Sequence, residues 1–242
     1  MDSANHVENN ALLSNASNVI AITAHEFKTP LTTITSVVDL LSAKLKADQH
    51  MNAFYEKQLA RITTEVFSLN SMVDEMLTIN NIVSGHIEAV KELIDLSNYV
   101  LPLKEQYHAY IEDNRQPEIV LTGTPKKIYA SPAQITRILT NLVSNACKYS
   151  RDKAPVIHLD YQEHAAVITV SNDGIGIPEQ DLPYLFDPYF RGSNTAGIAG
   201  TGLGLSIVKS FTAANNGNIT VTSSPDKGTV FTLAFKYPDT CK

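Results

Sequence analysis

Leu59, Ile62, Val66, Leu69, Val73, Met76, Asn80 and Val83 recur at alternating spacings of three and four, a period that admits little besides a long α-helix with one apolar seam. Ile34, Val38, Leu41 and Leu45 repeat the alternation upstream. One helix is predicted over about residues 10–46 and a second over about 52–84, with only ADQH as connector. Helices joined so tightly run antiparallel. Their stripes call for more helices than the sequence supplies, so a symmetric homodimer forming a four-helix bundle is expected. An ordinary monomeric helical core is the alternative. Asn80 in the seam would set register at some cost in stability.

The chain has 242 residues, room for two domains, and its 43% hydrophobic and 18% charged content indicates a folded chain. A net charge of −6 gives no footprint for nucleic acid. Cys147, inside a predicted helix, and Cys241, near the C-terminus, make neither a disulfide framework nor a metal site, which points to a reducing, cytoplasmic setting. No apolar run is long enough to span a membrane, and MDSANHVENN lacks the regions of a signal peptide, so no membrane contact is expected of this segment.

After Gly85 strands alternate with helices. The sequence divides into a tail at 1–9, the hairpin at 10–86, a linker at 87–91, a second domain at 92–238 and a tail at 239–242. ELIDLS is expected as a strand, NYVLPLKEQYHAYIEDN as a helix, and EIVLTG with KKIYAS as a strand pair. Ser131, Pro132 and Gln134 read as a helix start, with Ser as cap, Pro at the first position and Gln three beyond. Ile135, Ile138, Leu139, Leu142 and Ala146 form its expected buried face, while Gln134, Arg137, Asn141, Asn145 and Lys148 run along another. Amides in line with a cation suit a triphosphate and its Mg²⁺, for which an amide oxygen is a hard ligand; taken alone, a plain polar face is the favoured account of them. VIHLDY, AAVITVSN, NITVTSS and TVFTLAF complete a mixed sheet with three helices on one face, a two-layer α/β sandwich.

AAVITVSN runs into Asp173, Gly174, Ile175 and Gly176. Asn-Asp-Gly is a common hairpin turn, but PEQDLPYLFDPYF does not alternate as a returning strand would. The two glycines suggest backbone closely approaching a flat ligand, and a carboxylate at the strand end can accept from an adenine amino group. RGSNTAGIA, a flexible small-residue loop, opens into Gly200, Thr201, Gly202, Leu203 and Gly204 before the helix SIVKSFTAANN. Glycines at a helix start turn backbone N–H groups toward phosphate. The spacing is neither a dinucleotide fingerprint nor a P-loop.

A phosphate donor on one module gives meaning to His25 on the other. His25 lies nine positions before Ile34, so at about 100° per residue it faces away from the seam, toward solvent. Pro30 leaves the carbonyl of Glu26 without its helical donor and is expected to kink the helix. A neutral imidazole is a nitrogen nucleophile if its other nitrogen keeps its proton. Glu26 is placed to hold that proton, and Thr29, on the same helical face, to orient a water. On this segment alone, solvated helix surface is the favoured account of Glu26 and Thr29.

HEFKTPLT, NLVSNACKYS, SNDGIGIP, LFDPYFRG and GTGLGLSIVK, in this order over about residues 10–237, resemble the phospho-acceptor, Asn-rich, first glycine, Phe-containing and second glycine motifs of the sensor histidine kinases of two-component systems. The resemblance implies a dimeric helical hairpin joined to the α/β sandwich shared with gyrase, Hsp90 and MutL ATPases, an α + α/β chain. It implies ATP and Mg²⁺ as cofactors, a response regulator receiver domain as partner, and a cytoplasmic location, as the cytoplasmic part of a longer membrane-bound sensor. By position, it implies that His25 is phosphorylated at Nε2, with Glu26 as acid/base and Thr29 serving phosphate removal from the partner. Asn145 would bind Mg²⁺, Asn141 and Lys148 would line the phosphate end, Tyr149 would flank the nucleotide and Asp173 would read adenine. Gly174, Gly176, Gly200, Gly202 and Gly204, with Thr201 and Leu203 between the last three, would shape the pocket and its mobile lid, and Arg191 would neutralise developing charge. Two alternatives stand beside this: an ATP hydrolase on the same sandwich, disfavoured because Asn141 occupies the place of those enzymes' general-base glutamate, and a nucleotide-binding scaffold without transfer.

Overall fold

The computed structural model describes residues 2–85, 89–106, 116–151, 153–198, 200–225 and 227–238; the side chains of residues 2–22 and of His25 lie outside the description, as does Cys241. The chain forms two compact units, Met1–His86 and Ile87–Lys242.

The first unit is a hairpin of α1 (Asp2–Ala47) and α2 (Ala53–Val83). Lys44 and Lys46 occupy the last turn of α1, where cations suit the carbonyl end of the helix. Gln49 takes φ 58° in the connector. Asn52 caps α2, its side chain accepting from the N–H groups of Phe54 (3.0 Å) and Tyr55 (3.1 Å). The apolar stripe divides in two. Ala24, Leu31 and Val38 on α1, with Leu59, Val66 and Ile79 on α2, are buried. Phe27, Ile34 and Leu41, and Tyr55, Ile62, Leu69, Met76 and Val83, keep the seven-residue interval yet stay exposed, Ile62 at 43% against 8% for Leu59. The expected seam on α1 thus splits, Val38 packing inside the hairpin while Ile34 and Leu41 do not.

α1 is helical through Pro30. Beyond the proline, the hydroxyls of Thr32, Thr33, Thr35 and Ser36 each donate to the carbonyl four residues back, at 2.9–3.1 Å. Such bonds compete with the backbone ladder and soften a helix.

The second unit is a five-stranded mixed sheet backed by helices. Its strands are β2 (Glu118–Gly123), β4 (Val156–Tyr161), β5 (Ala165–Asn172), β6 (Gly217–Ser224) and β7 (Gly228–Lys236), in the order β2-β4-β5-β7-β6. β2 and β4 are parallel and the other pairs antiparallel. α5 (Pro132–Tyr149) supplies the crossover that a parallel pair requires. Burial alternates along β4 and β5, and their inward residues, Ile157, Leu159, Ala166, Ile168 and Val170, meet Ile135, Ile138, Leu139, Leu142 and Ala146 of α5 in one core, as the helix periodicity predicts.

Two expectations on strands and helices are corrected. EIVLTG and KKIYAS do not pair: β2 joins β4 with Val120 opposite His158, whereas β3 (Ile128–Ala130) leaves to form a separate antiparallel ribbon with β1 (Glu92–Ile94). Gly123, at φ 79°, and Pro125 carry the chain out of the sheet between them. The long helix expected over NYVLPLKEQYHAYIEDN is broken into α3 (Ser97–Val100) and α4 (Leu103–Gln106) at Pro102, which has no N–H to continue the ladder; residues 107–115 lie outside the description. The helical cover seen is therefore α5, α6 (Gly204–Ala214) and these two short pieces.

The start of α5 also departs from the expected capping pattern. Ser131 occupies the cap position without a side-chain cap bond. Its N–H donates instead to Oδ1 of Asn215 (2.7 Å), the residue that ends α6, while Asn215 Nδ2 donates to Gln134 Oε1 (2.7 Å) and to the Phe211 carbonyl (2.8 Å). Gln134 is therefore buried in a joint between two helices.

Candidate functional site

α5 carries the amides of the site on the side that meets the start of α6. Asn141 is only 9% exposed, and its Nδ2 is enclosed with no hydrogen-bond partner. A buried unpaired donor is costly unless something outside the protein takes it. A Cβ added at Gly204 would come 3.2 Å from Asn141 Oδ1. Asn145 lies one turn on and is half-buried. Exposed Lys148 has Nζ 4.9 Å from the centre of the Tyr149 ring, and a Cβ at Gly200 would be 2.8 Å from that Nζ. α5 and the second glycine motif therefore line one place.

The first glycine motif closes the other side. A Cβ at Gly174 would overlap the Tyr149 carbonyl at 1.8 Å, and at Gly176, with φ 66°, the Ser224 carbonyl at 2.0 Å. Only glycine fits either position. Asp173 stands at the end of β5 with both carboxylate oxygens held: Ser150 Oγ donates to Oδ1 (2.9 Å) and the Lys153 N–H to Oδ2 (3.1 Å). Burial acts to raise its pKa, but these bonds and one from the Arg151 N–H outweigh it and hold the carboxyl below its ordinary range. An ionised, oriented carboxylate is an acceptor only, as recognition of an amino group requires.

Between the glycine motifs runs LFDPYFRG. The 3-10 helix Glu179–Tyr184 just before it is not a returning strand, as the lack of alternation predicts. Gly202, at φ 77°, is pressed against the backbone of Tyr189 and Phe190, where a Cβ would lie 2.7 Å from the Phe190 carbonyl. Leu203 is buried and precedes the first residue of α6, and Thr201 Oγ1 accepts from its N–H (3.2 Å). Arg191 donates to the carbonyls of Thr195 (3.3 Å) and Ile198. Its charge acts against the burial that raises the Tyr149 pKa. RGSNTAGIA, expected as a flexible loop, is tied by several hydrogen bonds over its described part; Ala199 lies outside the description.

On the first unit, Glu26 and Thr29 are exposed on α1, next to the Lys28–Asp74 ion pair (2.6 Å) that links α1 to α2. The expected solvent-facing side chain of His25 lies outside the description. The structure thus gathers Asn141, Lys148, Tyr149, Gly174, Gly200 and Gly204 in one neighbourhood of the second unit, with Asp173 beside it. Sequence reasoning singled out neither Ser150, the last residue of NLVSNACKYS, nor Asp181, Ser193 and Asn194, whose only signal was their closeness to the glycine motifs.

Residues 15–85 match the family described as His Kinase A (phospho-acceptor) domain. Residues 130–239 match the one described as histidine kinase-, DNA gyrase B- and HSP90-like ATPase, which makes the second unit an ATP-binding domain. The chain is 29% identical over 220 residues to the sensor histidine kinase CusS of Escherichia coli O6:H1, covering 90% of this chain and 45% of that protein. It is 28% identical over 227 residues to WalK of Bacillus subtilis, covering 91% and 36%. It therefore spans less than half the length of these curated relatives. Among solved structures, full-length ShkA in complex with AMPPNP superposes with a TM-score of 0.72 at 21% identity, covering 91% of this chain and 46% of that one. The Acinetobacter baumannii histidine kinase AdeS gives 0.60 at 22% identity, covering 89% and 98%. With a phospho-acceptor hairpin followed by the ATPase-type sandwich, this chain belongs to the histidine kinase family and has the make-up of its catalytic core.

Proposed function

We propose that the chain is an ATP-dependent protein-histidine kinase that phosphorylates its own His25 and passes the group to an aspartate on a response regulator receiver domain, from which it also removes phosphate. The observation that carries this reading is the enclosed, unpartnered amide nitrogen of Asn141, set where α5 meets the second glycine motif at Gly204. Residues 10–86 are read as the dimerisation and phospho-acceptor domain, 92–238 as the catalytic domain and 87–91 as the linker between them. The exposed heptad stripe from Ile34 and Leu41 to Ile62, Leu69 and Met76 supports a homodimer. No described helix is long and apolar enough to cross a membrane; the reducing setting read from the cysteines supports a cytoplasmic chain.

ATP supplies the phosphoryl group; Asn145 would hold Mg²⁺ through its amide oxygen, and the ion would offset the charge of the phosphates. Asp173 accepts from the adenine amino group, with Tyr149 flanking the base. Asn141 and Lys148 donate to phosphate oxygens, and the N–H groups at the Gly200-Thr201-Gly202-Leu203-Gly204 entry to α6 face the same charge. His25 Nε2 attacks the γ-phosphorus in line as the bond to the β–γ bridging oxygen breaks, and ADP leaves with that electron pair. Glu26 holds the proton on Nδ1, and Arg191 neutralises charge as it develops. Thr29 orients the water used in phosphate removal. Asn141 stands where a hydrolase needs a general base, and an amide cannot serve as one, so transfer is favoured over hydrolysis.

Incubation with γ-labelled ATP and Mg²⁺ tests this. Acid-labile, alkali-stable label that vanishes in His25→Gln is expected. Nucleotide binding without label would replace the kinase by a scaffold, and label surviving the substitution would move the phospho-acceptor elsewhere.

A further inference from the structure

Asp181 is the one buried carboxylate among the described residues, at 7% exposure, and the chemistry above makes no use of it. It lies in the first turn of the 3-10 helix, just after the first glycine motif. A buried carboxylate must be compensated by donors. Both come from Ser193, whose N–H (2.7 Å) and hydroxyl (2.9 Å) donate to Oδ2. Charge-assisted bonds of this kind are short and hold geometry closely.

The bonds continue from there. Thr195 donates to the Gly192 carbonyl through its N–H (3.0 Å) and its hydroxyl (2.7 Å). Asn194 Nδ2 donates to the Gly176 carbonyl (3.0 Å), tying the same turn to the first glycine motif. The Thr195 carbonyl accepts from Arg191. The buried anchor thus holds Ser193, the turn of Gly192 to Thr195 is closed by its own bonds, and the Thr195 carbonyl takes the guanidinium, so hydrogen bonds joined by the backbone of the turn connect Asp181 to Arg191.

We propose that Asp181 is a positioning residue of the nucleotide site: by pinning Ser193 it fixes the turn 192–195, and that turn holds Arg191 where charge develops during transfer. This rests on the reading of Arg191 given above. A carboxylate kept only for stability would be a poor choice, since apolar packing at such a place is commonly at least as stable.

The test is a mutant cycle on the whole chain. Rates of label incorporation against ATP concentration are measured for Asp181→Asn, Ser193→Ala and Arg191→Ala, and for each of the first two combined with Arg191→Ala. The expected result is a maximal rate about tenfold lower for Asp181→Asn and about threefold lower for Ser193→Ala, with half-saturation little changed and no further loss once Arg191 is Ala. Effects that add fully to that of Arg191→Ala overturn the proposal, as do unchanged rates in both single variants. Ser193→Ala keeps the test valid should Asp181→Asn fold poorly. A second readout needs no nucleotide: tryptic cleavage after Arg191, followed by mass spectrometry, is expected about tenfold faster in both variants because the turn opens more often. Unchanged cleavage overturns the pinning. An Arg191→Ala chain with full activity would remove the reading of Arg191 and this proposal together, whereas an impaired Arg191→Ala chain with additive effects would remove this proposal alone.

Discussion

Asn141 and Gly204 touch: a single methyl group on Gly204 would come within 3.2 Å of the Asn141 amide oxygen, while the amide nitrogen finds no partner in the fold. Asn141→Ala should therefore cost little stability, within about 1 kcal/mol, because the lost donor was unsatisfied. Affinity for ADP should fall about tenfold, close to 1.4 kcal/mol. Urea unfolding beside calorimetric titration with ADP checks both halves. A large stability loss with unchanged affinity would assign Asn141 to packing instead.

The two stripes of the hairpin should respond differently to substitution. Leu59→Ala removes a buried contact between α1 and α2 and should destabilise the first unit by about 2–4 kcal/mol. Ile62→Asp with Leu69→Asp puts charge on exposed apolar positions and should convert dimer to monomer in sedimentation equilibrium. A double variant that stays dimeric would place the association surface elsewhere.

Tyr161 donates its hydroxyl proton to Asp95 and accepts from the Ser97 N–H (3.1 Å), fastening β4 to the segment before α3. Burial, then the Asp95 carboxylate, push the phenol up to about 12. Its folded pKa is thus above the unfolded value near 10, so its stabilisation is complete below pH 10 and is lost as pH rises toward about 12. Denaturant unfolding across that window should show a decline in the wild-type chain that Tyr161→Phe flattens. Parallel declines would mean that other groups govern alkaline unfolding.

Asn215→Ala should be among the more damaging polar substitutions. It strands the Ser131 N–H and the Gln134 amide oxygen, both buried, for an expected loss of about 2–4 kcal/mol. Chemical denaturation would measure it; a loss under about 0.5 kcal/mol would mean that the α5–α6 joint repacks or admits water.

Periodicity made α1, α2 and the core face of α5 readable, although in α1 and α2 only part of the expected seam is buried. It failed where partners are distant in sequence. β2 looked ready to pair with β3, yet its partner β4 lies beyond a crossover helix, and nothing local to β2 names it. Ser131 and Gln134 read as a capping pair, but the competing partner, Asn215, sits 84 residues from Ser131. The site divided the same way. Its glycines and amides announced themselves by spacing, whereas Ser150 and Asp181 are marked out only by hydrogen bonds to distant residues, which leave no pattern in the sequence.

The divided stripe of the hairpin has a consequence for the living amount of this protein. One hairpin leaves a row of its apolar positions exposed, so a second copy covering them would add to its stability as a ligand does, and dilution would withdraw that contribution. The sandwich, with a closed core of its own, is indifferent to dilution. Expression level would thereby set how much phospho-acceptor platform exists, while the capacity to bind nucleotide per chain would stay constant.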